Sequence, residues 1–71
     1  MRRKLIEEAV HLDHTIKFEE INAEVLRVVI TDPGDRVVFD TACTVDERTD
    51  VTFRKELELK IARFEAGIYF D

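Results

Sequence analysis

Two histidines and one carboxylate lie together in the segment His11-Leu12-Asp13-His14. Imidazole and carboxylate groups bind zinc, and a zinc site takes three or four such ligands. The chain has no other histidine, and its single cysteine, Cys43, is distant in the sequence. We therefore interpret the pair as surface residues at a helix end and predict no metal and no cofactor. A zinc-dependent enzyme or sensor built on His11 and His14 stays as a third hypothesis.

The sequence carries no pattern that is typical of an active site. Serine is absent, and the two glycines, Gly34 and Gly67, are too few for a glycine-rich phosphate loop or a nucleophile elbow. Cys43 has no base beside it and is expected on the inward face of a strand, as a small core residue. A 71-residue domain also leaves little room for a deep pocket. We predict a protein that is not an enzyme.

Acidic residues are concentrated in the first two thirds of the chain. Positions 5 to 50 hold twelve Asp and Glu against four Lys and Arg, and the whole chain has a formal net charge of -5. Such a surface attracts basic proteins and repels nucleic-acid phosphates. A solubilising surface with turn and cap residues is the alternative interpretation. The acids with the least evident structural role are our predicted partner-binding residues: Glu19, Glu20, Asp35, Asp40 and Glu47.

Apolar side chains supply a second candidate surface. Val25, Val29 and Val38 are expected together on the sheet face that no helix covers, and Tyr69 belongs to the apolar tail Ile68-Tyr69-Phe70. These residues are candidates for hydrophobic contact with a partner or with a second copy. The alternatives are ordinary strand preference for the valines and a tail that covers a sheet edge.

The chain up to about residue 44 predicts one helix and three strands. Leu5, Ile6, Ala9 and Val10 fit one stripe of a helix over residues 3–12. Two-fold alternation then predicts three strands: one that begins near Thr15, one over about 24–31 and one over about 36–44. Between the last two, Asp32-Pro33-Gly34-Asp35 predicts a tight turn, in which proline presets its own backbone angle and glycine accepts a positive one.

The segment after position 50 fits two periodicities. Leu57, Leu59 and Ile61 alternate as in a strand, whereas Phe53, Leu57, Ile61 and Phe64 form a helical stripe. We favour a helix over 51–66, because no Gly or Pro interrupts it and good helix formers dominate it. Gly67 stands where a carboxy-terminal cap is expected. Asp46 and Asp50 are both credible amino-terminal caps, and Thr44 with Glu47 resembles a capping box.

These elements predict a single α+β domain over residues 1–71. Its order is α-β-β-β-α, a three-stranded antiparallel meander with two helices packed on one face. One free thiol indicates a reducing compartment, and no apolar run is longer than Val28-Val29-Ile30, far below the ~20 residues of a membrane span. We expect no targeting segment, no membrane contact and a cytoplasmic location.

The segments Leu5-Ile6-x-Glu8 and Asp13-x-Thr15-Ile16-Lys17-Phe18 precede a hairpin with an Asp/Gly turn and a carboxy-terminal helix. This succession resembles the start of small phage-encoded anti-CRISPR proteins of the type II kind. The resemblance implies a cytoplasmic inhibitor, in a bacterial host cell, that occupies the Arg- and Lys-rich surface with which an RNA-guided nuclease reads its PAM duplex. The family member that the chain resembles has a further helix, so no binding residue is carried over by position.

The first functional hypothesis is a small non-enzymatic inhibitor or adaptor. It would engage a basic groove of a nuclease or another nucleic-acid-binding protein by imitating nucleic acid, without binding nucleic acid itself. The second is a self-associating structural module, a homodimer through the exposed sheet face or the tail. A designed mini-protein belongs with this second class, since the core is thoroughly patterned.

Overall fold

A four-stranded antiparallel sheet and one helix form the fold. The computed structural model describes residues 4–67. The sheet is a meander in which each strand pairs with the next along the chain, in the order β1-β2-β3-β4. A short 3₁₀ turn over Glu47–Thr49 leads into the helix. The elements are β1 (Leu5–His11), β2 (His14–Glu20), β3 (Val25–Thr31), β4 (Val37–Thr44) and α1 (Val51–Glu65).

The prediction of a helix over residues 3–12 is wrong, and with it the α-β-β-β-α order with two helices. Within this segment, Leu5–His11 form the edge strand β1, which pairs antiparallel with β2. Residues expected on one helical stripe lie on opposite faces of the sheet: Ala9 stands opposite the buried Ile16, whereas Val10 stands opposite Thr15 and is 70% exposed. Pairing with β2 has overridden a local pattern that fits a helix.

A two-residue turn joins β1 to β2. His11 and His14 are directly opposite each other at the end of the ladder, and Leu12 and Asp13 between them have φ values of 49° and 64°. Positive φ at both central residues is the requirement of a type I′ hairpin turn, whose twist matches that of the strands. Neither residue is glycine or asparagine, so the sequence gives no ordinary signal for this turn.

The turn between β3 and β4 occurs where it is predicted, with a different residue in the left-handed conformation. The positive φ belongs to Asp35, at 64°, and not to Gly34. The turn is held by the Asp32 carboxylate, whose Oδ1 accepts hydrogen bonds from the backbone N–H groups of Gly34 and Arg36, each at 2.9 Å. The N–H of Arg36, followed by that of Gly34, holds the pKa of Asp32 below its usual range.

The core lies between the sheet and α1 and comes mainly from the two central strands. Cys43 belongs to it, as predicted. The helix contributes Leu57 and Ile61, which confirms the predicted stripe. Because α1 covers one face only, the sheet has a covered face and an open face. The buried cluster consists of Ile16, Phe18, Leu26, Val28, Ile30, Cys43, Leu57 and Ile61.

The predicted ends of α1 are confirmed. Of the two proposed caps, Asp50 is the one that caps the helix: its side chain accepts a hydrogen bond from the N–H of Thr52 at 2.8 Å. Gly67 follows the helix with φ at 81°, a conformation that glycine adopts without strain. Thr44 and Glu47 exchange backbone-to-side-chain hydrogen bonds at 2.8 and 3.2 Å, in the pattern of a capping box.

Candidate binding surfaces

The open face of the sheet carries charges of both signs. Arg27 lies at its centre between the neighbouring strands and donates from Nε and Nη2 to the two oxygens of Asp40, at 3.0 and 2.6 Å. Its Nη1 reaches Glu19 at 3.4 Å. Asp40 and then Glu19 raise the pKa of Arg27. Two of the predicted partner-binding acids therefore already share a cation, and the open face is not a uniformly negative patch.

The predicted valine surface is largely absent. Val29 lies on the open face between Lys17 and Asp40 and is only 7% exposed, while Val25 is half-buried. The prediction that Val38 shares this face is wrong, because Val38 packs against the core cluster on the covered side. A register shift between Ile30 and Thr31 accounts for its orientation. Tyr69 lies outside the described residues.

The other predicted acids lie at the two ends of the sheet. Asp35 is exposed in the β3–β4 turn, at one end of the sheet. Glu20 ends β2 at the opposite end, where its backbone N–H donates to the carbonyl of Lys4 at 2.8 Å. Glu47 is engaged in the capping box. The five predicted residues thus occupy both ends of the sheet and the open face, and they do not form one cluster.

Two of the predicted acids, Glu20 and Glu47, lie with three further acids at one end of the sheet. The N–H of Val45 donates to the carbonyl of Glu24 at 3.1 Å, which holds the β2–β3 loop against the segment that leaves β4. We call this region the acidic end. The backbone of Lys4 is bonded to Glu20 in this region, and the guanidinium of Arg48 is directed to Glu7. The acidic end comprises Glu20, Glu24, Asp46, Glu47 and Asp50.

An ion cluster that sequence reasoning missed connects β1 to the start of α1. Glu7 accepts from Arg48 at 2.9 Å and from Arg54 at 2.7 and 3.3 Å. The Arg54 guanidinium also lies 5.4 Å from the centre of the Phe18 ring and donates to the carbonyl of Arg48 at 2.6 Å. Arg54 is the main cause that holds the pKa of Glu7 below its usual range.

Arg48 is incompletely satisfied in this cluster. Its Nε is buried and is the one such side-chain atom in residues 4–67 without a hydrogen-bond partner. The spacing of these residues gives no sequence signal for the cluster, because Glu7 is 41 and 47 positions from the two arginines.

A groove separates β1 from the adjacent flank of α1. Its inner part is a cavity of about 40 Å³ with Phe18, Leu57 and Arg54 in its walls. An open part of about 390 Å³ continues along the helix past Lys55, Leu59 and Ala62. His11 and Glu58 line both parts. We call this feature the β1 groove.

The prediction that the two histidines form a surface pair at a helix end is wrong, because His11 and His14 flank a hairpin turn between two strands and His14 is buried. His14 is 3% exposed, and its Nδ1 is 2.9 Å from the carbonyl oxygen of Leu12 and 4.0 Å from a carboxylate oxygen of Glu65. In the part of the chain that is described, no three His, Cys, Asp or Glu side chains converge as metal ligands would. Burial raises the pKa of the Cys43 thiol, which disfavours its nucleophilic form.

Between positions 4 and 67, no helix has both the length and the apolar character that a membrane crossing requires. The chain matches no family model, no curated protein and no solved structure. Any function proposed for the candidate surfaces must therefore be argued from their geometry.

Proposed function

We propose that this chain is a non-enzymatic protein-binding domain that engages a basic surface of a nucleic-acid-acting protein through the acidic end. One observation carries the proposal. Five carboxylates of the acidic end lie in two segments that backbone hydrogen bonding holds together, while the guanidinium of Arg48 is directed inward to Glu7.

The ion pairs of Arg27, Arg36 and Arg54 are formed with carboxylates outside the acidic end. Arg27 forms ion pairs with Glu19 and Asp40 on the open face, and Arg36 forms one with Asp32 in the β3–β4 turn. Arg54 serves Glu7. Residues 4–67 hold fifteen Asp and Glu against nine Lys and Arg, so a surplus of negative charge persists after these pairs are formed. Complementary charge of this kind speeds association and selects basic partners.

The resemblance to anti-CRISPR proteins narrows the partner class. A surface that reads a PAM duplex presents Arg and Lys to DNA, and an acidic protein that occupies it excludes the DNA. The proposal therefore predicts competition with duplex DNA for one site on the partner. It requires neither a cofactor nor a reaction.

The test compares two double variants with the same change in net charge. Glu24→Lys/Asp46→Lys alters the acidic end at residues whose side chains make no turn or cap hydrogen bond in the structure. The matched control, Glu56→Lys/Glu65→Lys, alters exposed positions on α1. The probes are a guide-loaded type II RNA-guided nuclease and a lysine-rich DNA-binding protein, and binding is measured by interferometry with and without duplex DNA.

We expect wild type to bind at about 50 mM salt and to lose at least about tenfold in affinity at about 500 mM, because salt screens exposed charges. The acidic-end variant should lose about tenfold at low salt, and the control should lose far less. Equal losses in the two variants would show that net charge alone is responsible. The proposal is refuted if wild type binds neither probe, or if the affinity of wild type does not change with salt.

A further inference from the structure

We propose that two copies of this chain associate through their β1 edges, so that the two sheets join into one of eight strands and each copy covers the β1 groove of the other. This inference is independent of the basic partner proposed above, because it concerns a different edge of the molecule. Its occupant is a second copy of the same chain.

The hairpin geometry determines which backbone groups of β1 are free to pair. In a hairpin with a two-residue turn, the closing pair, here His11 and His14, is hydrogen-bonded, and every second pair along the ladder is hydrogen-bonded as well. Glu7 and Ala9 are therefore bonded to β2, and the N–H and C=O groups of Glu8 and Val10 point away from the sheet. Such groups on an edge strand form a template for another strand.

The bulge in β1 agrees with this assignment and leaves the relevant stretch regular. Regular pairing would bring the N–H of Glu20 to the carbonyl of Leu5, but it donates to the carbonyl of Lys4 at 2.8 Å instead. The register shift between Leu5 and Glu7 supplies the extra residue. From Glu7 to His11 the ladder has no irregularity, and within residues 4–67 no strand pairs with the outer side of these five residues.

Large apolar side chains border this edge on both sides. Val10 is 70% exposed on the open face, and Leu59 is 59% exposed on the helix flank where it lines the β1 groove. Leu12, at the tip of the hairpin, is 49% exposed. An added strand beside β1 would cover Val10, and the helix of the second copy would approach Leu59 across the joined sheet. One occupant thus accounts for apolar exposure on both faces.

Antiparallel pairing of β1 with itself has a register in which the charges are compatible. If a two-fold axis passes beside Ala9, Glu8 stands opposite Val10 of the second copy and Glu7 stands opposite its His11. Glu8 of each copy then pairs with Val10 of the other, and the outward-pointing N–H and C=O groups of these two pairs can form four backbone hydrogen bonds. Pairing centred on Glu8 would bring two carboxylates face to face and is disfavoured. The small side chain of Ala9 lets the two strands meet at the axis, and the contact is isologous and closed.

The opposite edge of the sheet provides a matched control. Val10, Thr15, Thr31 and Val37 form one row across the open face, with a valine at each edge. Val37 is 57% exposed and lies on β4, away from the β1 groove. The same substitution at the two ends of this row therefore changes one edge at a time.

The experiment is sedimentation equilibrium of the full chain over a concentration series up to about 1 mM, with wild type, Val10→Glu and Val37→Glu. We expect wild type to form dimers, Val10→Glu to weaken the dimer at least about tenfold, and Val37→Glu to match wild type. A wild type that stays monomeric throughout would overturn the proposal. Loss of dimer in Val37→Glu with dimer retained in Val10→Glu would also overturn it.

A second measurement needs no variant and so does not depend on how Val10→Glu folds. Amide hydrogen exchange of wild type is followed by NMR at low and high protein concentration. We expect the amides of Glu8 and Val10 to become at least about tenfold more protected at high concentration, because they form hydrogen bonds only in the dimer. Equal exchange at the two concentrations would refute β1 pairing.

Discussion

Replacing Leu12 at the tip of the first hairpin tests whether the backbone there is strained. Its φ of 49° lies in the left-handed region, which costs an L-residue with a Cβ roughly 1–2 kcal/mol. Asparagine tolerates this region better than leucine does, and it is favoured at the first central position of a type I′ turn. The carbonyl of Leu12 that contacts His14 belongs to the backbone and survives the substitution.

The loss of apolar contact must be separated from the relief of strain. Leu12 is 49% exposed and Leu5, in extended β1, is 48% exposed, so Leu5→Asn is a matched control for the lost side-chain burial. We expect Leu12→Asn to be more stable than Leu5→Asn by about 1–2 kcal/mol, the size of the backbone term. For a domain of this length that difference corresponds to a gap in Tm of roughly 4–16 °C.

The assay is thermal unfolding by circular dichroism at a single low protein concentration, so that self-association does not contribute. Leu12→Ile completes the set, because it keeps the apolar volume while a β-branched side chain is still less compatible with positive φ. Leu12→Ile should lower Tm, and Leu5→Ile should not. If Leu12→Asn unfolds at or below the Tm of Leu5→Asn, the backbone at position 12 is not strained and the reasoning fails.

Three further predictions concern stability. Arg54 lowers the pKa of Glu7 in the folded state, so the stability that ionised Glu7 contributes is present above the usual carboxyl pKa and is lost as pH falls through the folded value. We therefore expect Tm to fall less steeply between about pH 5 and pH 3 in Glu7→Gln than in wild type. Asp50→Ala removes the cap on the N–H of Thr52 and should cost about 1 kcal/mol in urea unfolding, whereas an unchanged midpoint would contradict the cap. Ile61→Ala empties a fully buried site and should cost about 2–5 kcal/mol, and a loss below about 1 kcal/mol would contradict its central position.

The second half of the fold follows from the sequence because its signals agree with one another. Strong alternation predicts β3 and β4, Asp32 and Pro33 mark the turn between them, and the uninterrupted helix formers after Asp50 predict α1. The first half does not follow, because Leu5, Ile6, Ala9 and Val10 fit a helical stripe. No glycine or asparagine marks the turn at Leu12-Asp13. The pairing with β2 that decides between helix and strand is a tertiary effect.

The candidate surfaces depend on register and on distant contacts, which a single sequence does not reveal. Glu19 and Asp40 meet Arg27 only because three strands align in one register. The sequence does indicate an acidic surface, but it does not identify Glu24 and Asp46 as neighbours, since a loop-to-loop hydrogen bond brings them together. The exposed edge of β1 is not evident from the sequence, because the same residues fit a helical stripe.

The contact between Glu7 and Arg54 also sets an order of events during synthesis. The strand leaves the ribosome first, and its ionic partner follows 47 residues later, a delay of about 2–9 s at translation rates of about 5–20 residues per second. Phe18 is made 11 residues after Glu7, and its covering helix is still incomplete until Arg54 is added, 36 residues later. Newly made chains therefore offer chaperones a defined apolar target, and that target disappears when α1 docks.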